Sequence, residues 1–419
     1  MVYHKRFLVW WGLGLFLFRL GSRRQLDYQF AADGPEVLGN FNRLAGTAQE
    51  GRPVNKTLEC FLRKVGGAPI ARLRQQMVRR LIRMKALDEA RLHGRFVVLI
   101  DGTGYLLFHC RHCAHCLTQR QGETTLYMHQ VLEAKLLGPA NTVISIATEF
   151  IDNRDTPAVT AGQERAKQDC ELKALRRLLD GLRKDFPLLP VCLSGDGLYA
   201  CGEGFQVAKD YKCDFVYGFQ PGRLPALWEE FQALLRLCPD RRREGTTPEG
   251  VRQVYRWVNG LRYTDSAGRE WTFDAMICTE TRADGTETEW SWLTSLTVSH
   301  ETVVRVATQG GRQRWREENE GFNAQKNSGL NLEHAYSHTC WAAYYLLLQI
   351  AHLLLQLVEK GSLLRHLAEE QGKRTAVQWF GSLKNMAQRL LESVRFLAWT
   401  DERLARFGGG PIQIRLDSS

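Results

Sequence analysis

Two aspartates in this chain follow apolar runs of the kind that form buried strands. Asp101 stands in RFVVLIDGTGY, directly after the apolar run at residues 96–100, and Asp196 stands in PVCLSGDGLYACG, after the run at residues 191–193. A single Asp-Gly pair usually marks only a turn. Open α/β sheets, however, keep their functional groups at the ends of central strands. The repeated pattern therefore predicts a site that uses paired carboxylate oxygens as ligands.

A third acidic residue lies where a helical pattern resumes, in GGRQRWREENEGFNAQKNSGLNLEH. Arg314 and Glu318 have i, i+4 spacing there and would share one face of a helix. Such a pair is common on solvated helices and alone predicts nothing more. Together with Asp101 and Asp196, however, Glu318 would complete a set of three carboxylates, which are the ligands that hard divalent cations such as Mg²⁺ prefer.

A separate cluster of potential metal ligands lies in FHCRHCAHCL, at residues 108–117. Cys110, Cys113 and Cys116 form two overlapping Cys-x2-Cys units that are interleaved with histidines. With His129 as a distant ligand, this set could hold a structural Zn²⁺ ion. No second ligand pair is evident, so the alternative is a reduced Cys/His loop without metal.

The elements around these residues predict an α/β fold. Strand-like runs at residues 96–100, 143–147, 191–194 and 214–218 alternate with a charged helix at residues 163–186. The segment that follows alternates polar with aromatic or β-branched residues, which predicts an antiparallel meander. We expect its turns at Asn259-Gly260, Ala267-Gly268 and Asp284-Gly285. Helical patterns precede the first strand and return after about residue 312.

The charge of the chain favours a polyanionic partner. The 419 residues carry a net charge of +10, and part of the excess is concentrated between residues 63 and 95. Apolar residues in that stretch recur at helical spacing, so its basic side chains would cover one face of an amphipathic helix. This face is either merely solvated or binds DNA phosphates, and the second interpretation assigns phosphate contacts to Arg72, Arg79, Arg80 and Arg83.

The cysteines and the apolar segments indicate a cytoplasmic protein outside the membrane. Eleven scattered cysteines form no secreted disulfide framework, which favours a reducing compartment. The N-terminal apolar core at residues 7–18 is too short to span a bilayer, so we expect a buried helix. The apolar segment at residues 339–361 is interrupted by polar side chains and predicts a core helix.

Three blocks of the sequence together resemble the DDE transposases of the bacterial insertion-sequence superfamily with the signature Tyr-x2-Arg-x3-Glu-x6-Lys. The blocks are DGT at residues 101–103, DGLY at residues 196–199 and RWREENEGFNAQK at residues 314–326. In addition, WSWLTSL at residues 290–296 is similar to the last insertion-domain strand of that family. The resemblance covers about residues 95–350. It implies a ribonuclease-H-like catalytic domain that is interrupted by an antiparallel β-rich insertion.

The resemblance and the element pattern together predict four segments. Residues 1–94 would be a helical, basic DNA-binding region, and residues 95–215 the first part of the catalytic core. Residues 216–305 would be the β-rich insertion. Residues 306–419 would supply the second part of the core, with the helix that carries Glu318, and the C-terminal helices.

The resemblance also implies roles for individual residues. Asp101, Asp196 and Glu318 would hold two Mg²⁺ or Mn²⁺ ions, with Glu320 as a competitor for the third position. Arg314 would contact a DNA phosphate near the cut, and Trp315 would also lie against DNA.

Relatives hold a flipped base against a tryptophan, and that position falls on Trp290, with Trp292 as the alternative. Two signature positions differ, because Gly311 stands where Tyr is expected and Gln325 where Lys is expected. Either the helix is rephased by one residue or Lys326 substitutes for the missing lysine.

The implied activity is metal-dependent cleavage of double-stranded DNA at element ends, followed by strand transfer, in a bacterial, nucleoid-associated homodimer. The cleavage could proceed through a DNA hairpin. Two other functions stay open. One is a related nuclease without strand transfer, and the other is a catalytically inactive, zinc-containing DNA-binding protein.

Overall fold

The computed structural model describes residues 3–31, 34–154 and 168–405. The chain divides into two compact units. The first consists of Met1–Glu89, Gly138–Ile144 and Asn319–Ser419, and the second consists of Ala90–Leu137 and Ser145–Glu318. The predicted helix over residues 163–186 begins only at Glu171, and residues 163–167 lie outside the described residues.

The first unit is helical. Its helices are α1 (Lys5–Leu17), α2 (Arg23–Gln29), α3 (Val37–Ala45), α4 (Asn55–Val65), α5 (Ala68–Arg83), α10 (Ala324–Asn327), α11 (Trp341–Lys360), α12 (Ser362–Glu370), α13 (Ala376–Phe380), α14 (Leu383–Phe396) and α15 (Asp401–Ala405). As predicted, the N-terminal apolar run forms a buried helix, and α1 packs against α3 and α11. Among the described residues, α11 is the one helix long and apolar enough to cross a membrane, and 72% of its apolar window is buried in the protein.

The second unit contains a large mixed sheet. In the described residues its strands are β1 (Phe96–Phe108), β2 (Leu117–Gln121), β3 (Thr124–Leu137), β4 (Val143–Ile151), β5 (Val191–Gly195), β6 (Asp214–Gly218), β7 (Arg242–Thr246), β8 (Arg252–Thr264), β9 (Glu270–Thr281) and β10 (Glu287–Thr294). The strand order is β2-β3-β1-β5-β6-β10-β9-β8-β7, and β4 pairs with β3. The strands β1, β5 and β6 run parallel, whereas β3 pairs antiparallel with β1 and β10 pairs antiparallel with β6. The protein is therefore a mixed α/β protein, and all four predicted strand-like runs form strands.

The two aspartates occupy different positions on their strands. Asp196 follows directly after β5, as the sequence predicts, because the strand ends at Gly195. The prediction that Asp101 ends its strand is wrong, since β1 continues to Phe108. Beyond Asp101 the strand is less completely buried, and its pairing with β3 continues to Phe108. The glycines after Asp101 therefore do not mark a turn.

The meander predicted after residue 254 is present. The strands β7, β8, β9 and β10 form consecutive antiparallel pairs, with turns at Ala267-Gly268 and Asp284-Gly285. The turn predicted at Asn259-Gly260 is wrong, because both residues lie inside β8 at a shift of register. Asp274 stabilises this bulge by accepting hydrogen bonds from the Asn259 amide at 2.6 Å and the Gly260 N–H at 3.1 Å. An Asn-Gly pair suits such a bulge as well as it suits a hairpin.

The helices of the second unit are α6 (Glu171–Asp185), α7 (Gly202–Asp210), α8 (Pro225–Leu237) and α9 (Val303–Arg305). The sequence did not predict α7 or α8. After α9 the chain stays helical but irregular, with π-helical turns at Val306–Gly311 and Glu317–Asn323 and a 3₁₀ turn at Arg312–Arg314. The helix predicted around Arg314 and Glu318 is therefore present, but it is irregular rather than a continuous α-helix. Such π-helical turns are frequent at functional sites.

Candidate active site

Asp101 is the central carboxylate of the candidate site. It lies on β1 opposite Glu133 of β3, and its Oδ2 atom is 3.5 Å from Nη1 of Arg314. The pKa of Asp101 is raised to about 6, mainly by burial and to a smaller extent by the charges of Asp196 and Glu318, while Arg314 opposes the shift. The three carboxylates predicted from the sequence thus lie close enough to interact electrostatically, although they come from three distant parts of the chain.

Asp196 is held by its own turn. Its Oδ1 atom accepts a hydrogen bond of 2.8 Å from the N–H of Leu198, as in other Asx turns. This bond fixes the carboxylate where β5 ends, beside the parallel strand β1. The other carboxylate oxygen, Oδ2, carries no hydrogen bond to the described residues that would compete with a ligand.

The structure separates the two candidates for the third acidic position. Glu318 is exposed and contributes to the electrostatic environment of Asp101. Glu320 instead forms an ion pair with Lys360, with 3.5 Å between Oε2 and Nζ. Of the two, Glu318 rather than Glu320 therefore acts on the electrostatic environment of Asp101.

A fourth carboxylate, Glu171, lies at the same site and was missed in the sequence. Burial raises its pKa, and the charges of Asp101 and Asp196 raise it further, while the Tyr199 hydroxyl, which donates to Oε2 at 3.0 Å, opposes the shift. A Cβ atom on Gly102 would lie 2.2 Å from Oε1 of Glu171. Glycine after Asp101 thus leaves room for the Glu171 carboxylate in this position, and the Asp-Gly pair has a packing cause rather than a turn.

A group of buried charges lies next to Asp101. Lys135 and Glu133 are fully buried on β3, and Glu317 is fully buried in the π-helical turn. Burial raises the pKa of Glu317 well above its usual range, while the charge of Lys135 opposes this shift. Glu133 accepts hydrogen bonds from the hydroxyls of Ser145 and Thr148. Because Glu317 faces the interior, its neighbour Glu318 faces outward.

A cavity of about 440 Å³ extends from Asp196 and Arg314. Its other walls include Trp290, Trp292 and Trp315. Trp290 is partly exposed, and the guanidinium of Arg312 stacks on it with 3.7 Å between Cζ and the ring centroid. Trp315 is 44% exposed, so it offers an open aromatic face. Aromatic walls beside a guanidinium and a carboxylate suit a planar, polar ligand such as a nucleobase.

The glycine at the signature tyrosine position also has a packing cause. A Cβ atom on Gly311 would lie 2.4 Å from Cε2 and Nε1 of Trp292. Trp292 is only 5% exposed, so its indole occupies the space that a larger residue at position 311 would need. Trp292 therefore acts as a wall of the cavity, whereas Trp290 and Trp315 retain accessible surface.

The signature lysine position is filled differently. The side chain of Gln325 is fully buried and donates hydrogen bonds to Gln349 at 2.8 Å and to Nδ1 of His352 at 2.9 Å. Lys326 is partly exposed and forms an ion pair of 2.8 Å with Glu333. A DNA contact by Lys326 therefore stays a prediction, and it would require Lys326 to exchange this partner.

The four predicted phosphate-binding arginines share one exposed face. Arg72, Arg79, Arg80 and Arg83 are all exposed on α5, whereas Ile70, Val78 and Leu81 on its other face are buried. The amphipathic arrangement expected from the sequence is thus present. Its DNA contacts stay a prediction.

The Cys/His segment forms a compact group of ligands that differs by one residue from the predicted set. Among the residues that the structure describes, His112, Cys113, Cys116 and His129 bring their ligand atoms within 4.8 Å of one another, and this group could hold a metal ion. Cys110 is exposed and is not part of the group, while His112 supplies the fourth ligand in its place.

Several of these residues carried a weak signal in the sequence. Glu133 and Lys135 lie within the run VLEAKLL, where charged residues in an apolar strand indicate a buried polar role. His112 was visible as part of a dense Cys/His segment. Glu171 carried no such signal, since an acidic residue at the start of a helix is common for electrostatic reasons alone.

A scan against protein-family models finds no match for this chain, and neither does a search of curated proteins.

Proposed function

We propose that this chain is a metal-dependent DNA transposase that cleaves DNA strands and joins the resulting 3′ ends to target DNA. The observation that carries the proposal is the convergence of Asp101, Asp196 and Glu318, three carboxylates from three distant segments, beside Arg314. This is the residue set that the resemblance to DDE transposases names. A carboxyl group such as Asp101, whose pKa is raised by burial and by neighbouring carboxylates, is typical of sites that use a cation or a proton.

The order of the strands supports a ribonuclease-H-like core. The strand β1 is central, with antiparallel β3 on one side and parallel β5 and β6 on the other, while β4 lies beyond β3. In such a core the first aspartate belongs to the central strand and the second follows the adjacent parallel strand. The antiparallel strands β7 to β10 would then be the insertion between Asp196 and Glu318.

The carboxylates fit two divalent cations. All donors are oxygens, as Mg²⁺ and Mn²⁺ prefer, and carboxylates of this kind can be shared between two such ions. Bound cations would activate water for attack on a phosphodiester and stabilise the departing 3′ oxygen. Asp101, Asp196 and Glu318 would hold them, and Glu171 adds a further carboxylate at the same place.

The remaining residues would position DNA. Arg314 lies beside Asp101, where its guanidinium can bind the phosphate next to the cut strand. The cavity beyond it, with Trp290 and Trp315, is wide enough for one flipped base. Water adds to phosphorus as the bond to the 3′ oxygen breaks, which leaves a 3′ hydroxyl and a 5′ phosphate. That hydroxyl then attacks a target phosphodiester, so no external energy source is needed.

The test uses labelled duplexes that carry the sequences bordering the coding region, with a supercoiled plasmid as the target. With Mg²⁺ or Mn²⁺ we expect nicks with free 3′ hydroxyls and their joining to the plasmid, both abolished by Asp101→Asn or Asp196→Asn. Cleavage without joining would indicate a nuclease. Cleavage that persists in both variants, or none by the wild-type protein, would overturn the proposal.

A further inference from the structure

We propose that His112, Cys113, Cys116 and His129 form a closed, structural zinc site, independent of the carboxylates. The group combines two sulfur and two nitrogen ligands, which is a common composition of structural zinc sites. His112, Cys113 and Cys116 come from the loop between β1 and β2, while His129 comes from β3, where it pairs with Leu106 of β1. The ion would thus tie the loop to the sheet.

The three distances among the ligand atoms of Cys113, Cys116 and His129 match the edges of a zinc tetrahedron. Ordinary zinc–ligand bond lengths predict about 3.8 Å between two sulfurs and about 3.6 Å between a sulfur and a nitrogen. The structure has 3.6 Å between the sulfurs of Cys113 and Cys116. It has 3.4 Å and 3.6 Å from these sulfurs to Nε2 of His129. The sulfurs are too far apart for a disulfide bond, whose length is about 2.05 Å.

The backbone around the sulfurs is arranged to stabilise thiolates. The N–H of His115 donates to Sγ of Cys113 at 3.4 Å, and the N–H of Cys113 donates to Sγ of Cys116 at 3.4 Å. Such outer hydrogen bonds orient ligands and offset their negative charge in metal sites. Two thiolates and two neutral imidazoles would exactly balance the charge of Zn²⁺, so the ion could be enclosed at low electrostatic cost.

The burial of the group favours a structural ion over a catalytic one. His129 is 1% exposed and Cys116 is 5% exposed. The ring of His112 stacks on Phe108, with 4.4 Å between centroids, and it meets His129 edge-on. Four protein ligands complete the preferred coordination of zinc and leave no position for substrate. The ion would stabilise the β1–β2–β3 region in the way that a buried cross-link does.

The first test is the zinc content of the reduced protein and of single variants. We expect about one zinc ion per chain in the wild-type protein. Cys113→Ser, Cys116→Ser and His129→Ala should lower zinc affinity by about 100-fold or more. Cys110→Ser and His109→Ala are matched controls, because both residues are exposed in the same loop, and they should retain the ion. Loss of zinc in Cys110→Ser equal to that in Cys113→Ser would overturn the assignment.

A second measurement does not depend on whether the variants fold. The metal is removed from the wild-type protein with a chelator, and Co²⁺ is then added under reducing conditions. A tetrahedral site with two thiolates should give the visible bands of tetrahedral cobalt together with sulfur-to-cobalt charge-transfer absorption, and Zn²⁺ should displace both. An octahedral spectrum, no binding, or a Cys113–Cys116 disulfide in the freshly purified protein would contradict the proposal.

Discussion

Two ligand groups in the second unit show opposite arrangements. The Cys/His group is compact, with all ligand atoms within 4.8 Å and its sulfurs hydrogen-bonded to backbone N–H groups. At the carboxylates, by contrast, burial and to a smaller extent the charges of Asp196 and Glu318 raise the pKa of Asp101 to about 6, while Arg314 opposes the shift. A compact group with four protein ligands is suited to holding an ion permanently, whereas carboxylates beside an open cavity are suited to ions that also bind a substrate. We therefore propose that one group stabilises the fold and that the other acts on a ligand.

The largest expected effect separates the candidates for the third carboxylate. Glu318→Gln should lower the cleavage rate by about a thousandfold, since a lost ligand forfeits several kcal/mol of transition-state stabilisation. Glu320→Gln is the matched control, because Glu320 pairs with Lys360 instead, and it should keep most of the activity. Single-turnover cleavage rates measure both. If Glu320→Gln is the inactive variant, the assignment of Glu318 is wrong.

Zinc removal should have the next largest effect, and it should act on stability. Free zinc at a thousandfold excess over the dissociation constant would stabilise the folded state by about 4 kcal/mol. Urea denaturation with and without a zinc-specific chelator measures this difference, and Cys113→Ser should abolish it. Asp196→Asn should leave it unchanged, because Asp196 belongs to the other group. If the chelator destabilises Cys113→Ser as much as it destabilises the wild-type protein, the stabilising zinc ion is not bound by the Cys/His group.

A smaller change is expected from a substitution of Asp101, and it should raise the stability of the protein rather than lower it. The pKa of Asp101 is raised from 3.8 to about 6. Its contribution to the free energy of unfolding is therefore fully present below about pH 4 and is lost as the pH rises through about 6. The Asp101→Asn variant has no titrating carboxyl group at this position, so it does not lose this stability as the pH rises. Relative to the wild-type protein it should therefore gain about 2 kcal/mol of unfolding free energy between pH 4 and pH 7. Urea denaturation in the presence of a magnesium chelator measures the gain, and a gain independent of pH would contradict the explanation.

The sequence predicts the backbone of the fold better than the interior of the site. The runs before Asp101 and Asp196 form buried strands because continuous apolar residues suit a sheet covered on both faces. The strand β3 was missed because Glu133 and Lys135 interrupt its apolar pattern, and they are tolerated only because they lie among other buried charges. The Asn259-Gly260 bulge was mistaken for a turn for a similar reason, since its partner Asp274 is remote in sequence. Local sequence patterns identify helices and strands, whereas β3 and the Asn259-Gly260 bulge depend on residues that are distant in the chain.

Prediction of the candidate metal-ligand residues from the sequence has the same limit, because contacts between distant parts of the chain decide which residues meet. The three carboxylates stood out because each follows a recognisable pattern, while Glu171 contacts Gly102 only through the folding of the chain. In the Cys/His segment the spacing indicated a metal group but not which four residues would meet. His112 rather than Cys110 joins the group because its ring stacks on Phe108 at the end of β1.

The smallest expected effect concerns DNA affinity, away from both ligand groups. Arg79 and Arg83 are exposed at i, i+4 positions of α5, so one phosphate backbone can reach both. Reversing both charges, as Arg79→Glu with Arg83→Glu, should reduce the slope of log affinity against log salt concentration by about two. The reason is that each phosphate contact releases about one counterion from DNA on binding, so two lost contacts mean about two fewer counterions released. Lys384→Glu with Arg389→Glu on α14 makes the same change in net charge at other exposed positions and should alter the slope much less. Fluorescence anisotropy of random-sequence duplexes at several salt concentrations measures both pairs. If the two pairs weaken binding equally, the effect of α5 is one of net charge alone, and the phosphate contacts lie elsewhere, for example around Arg314.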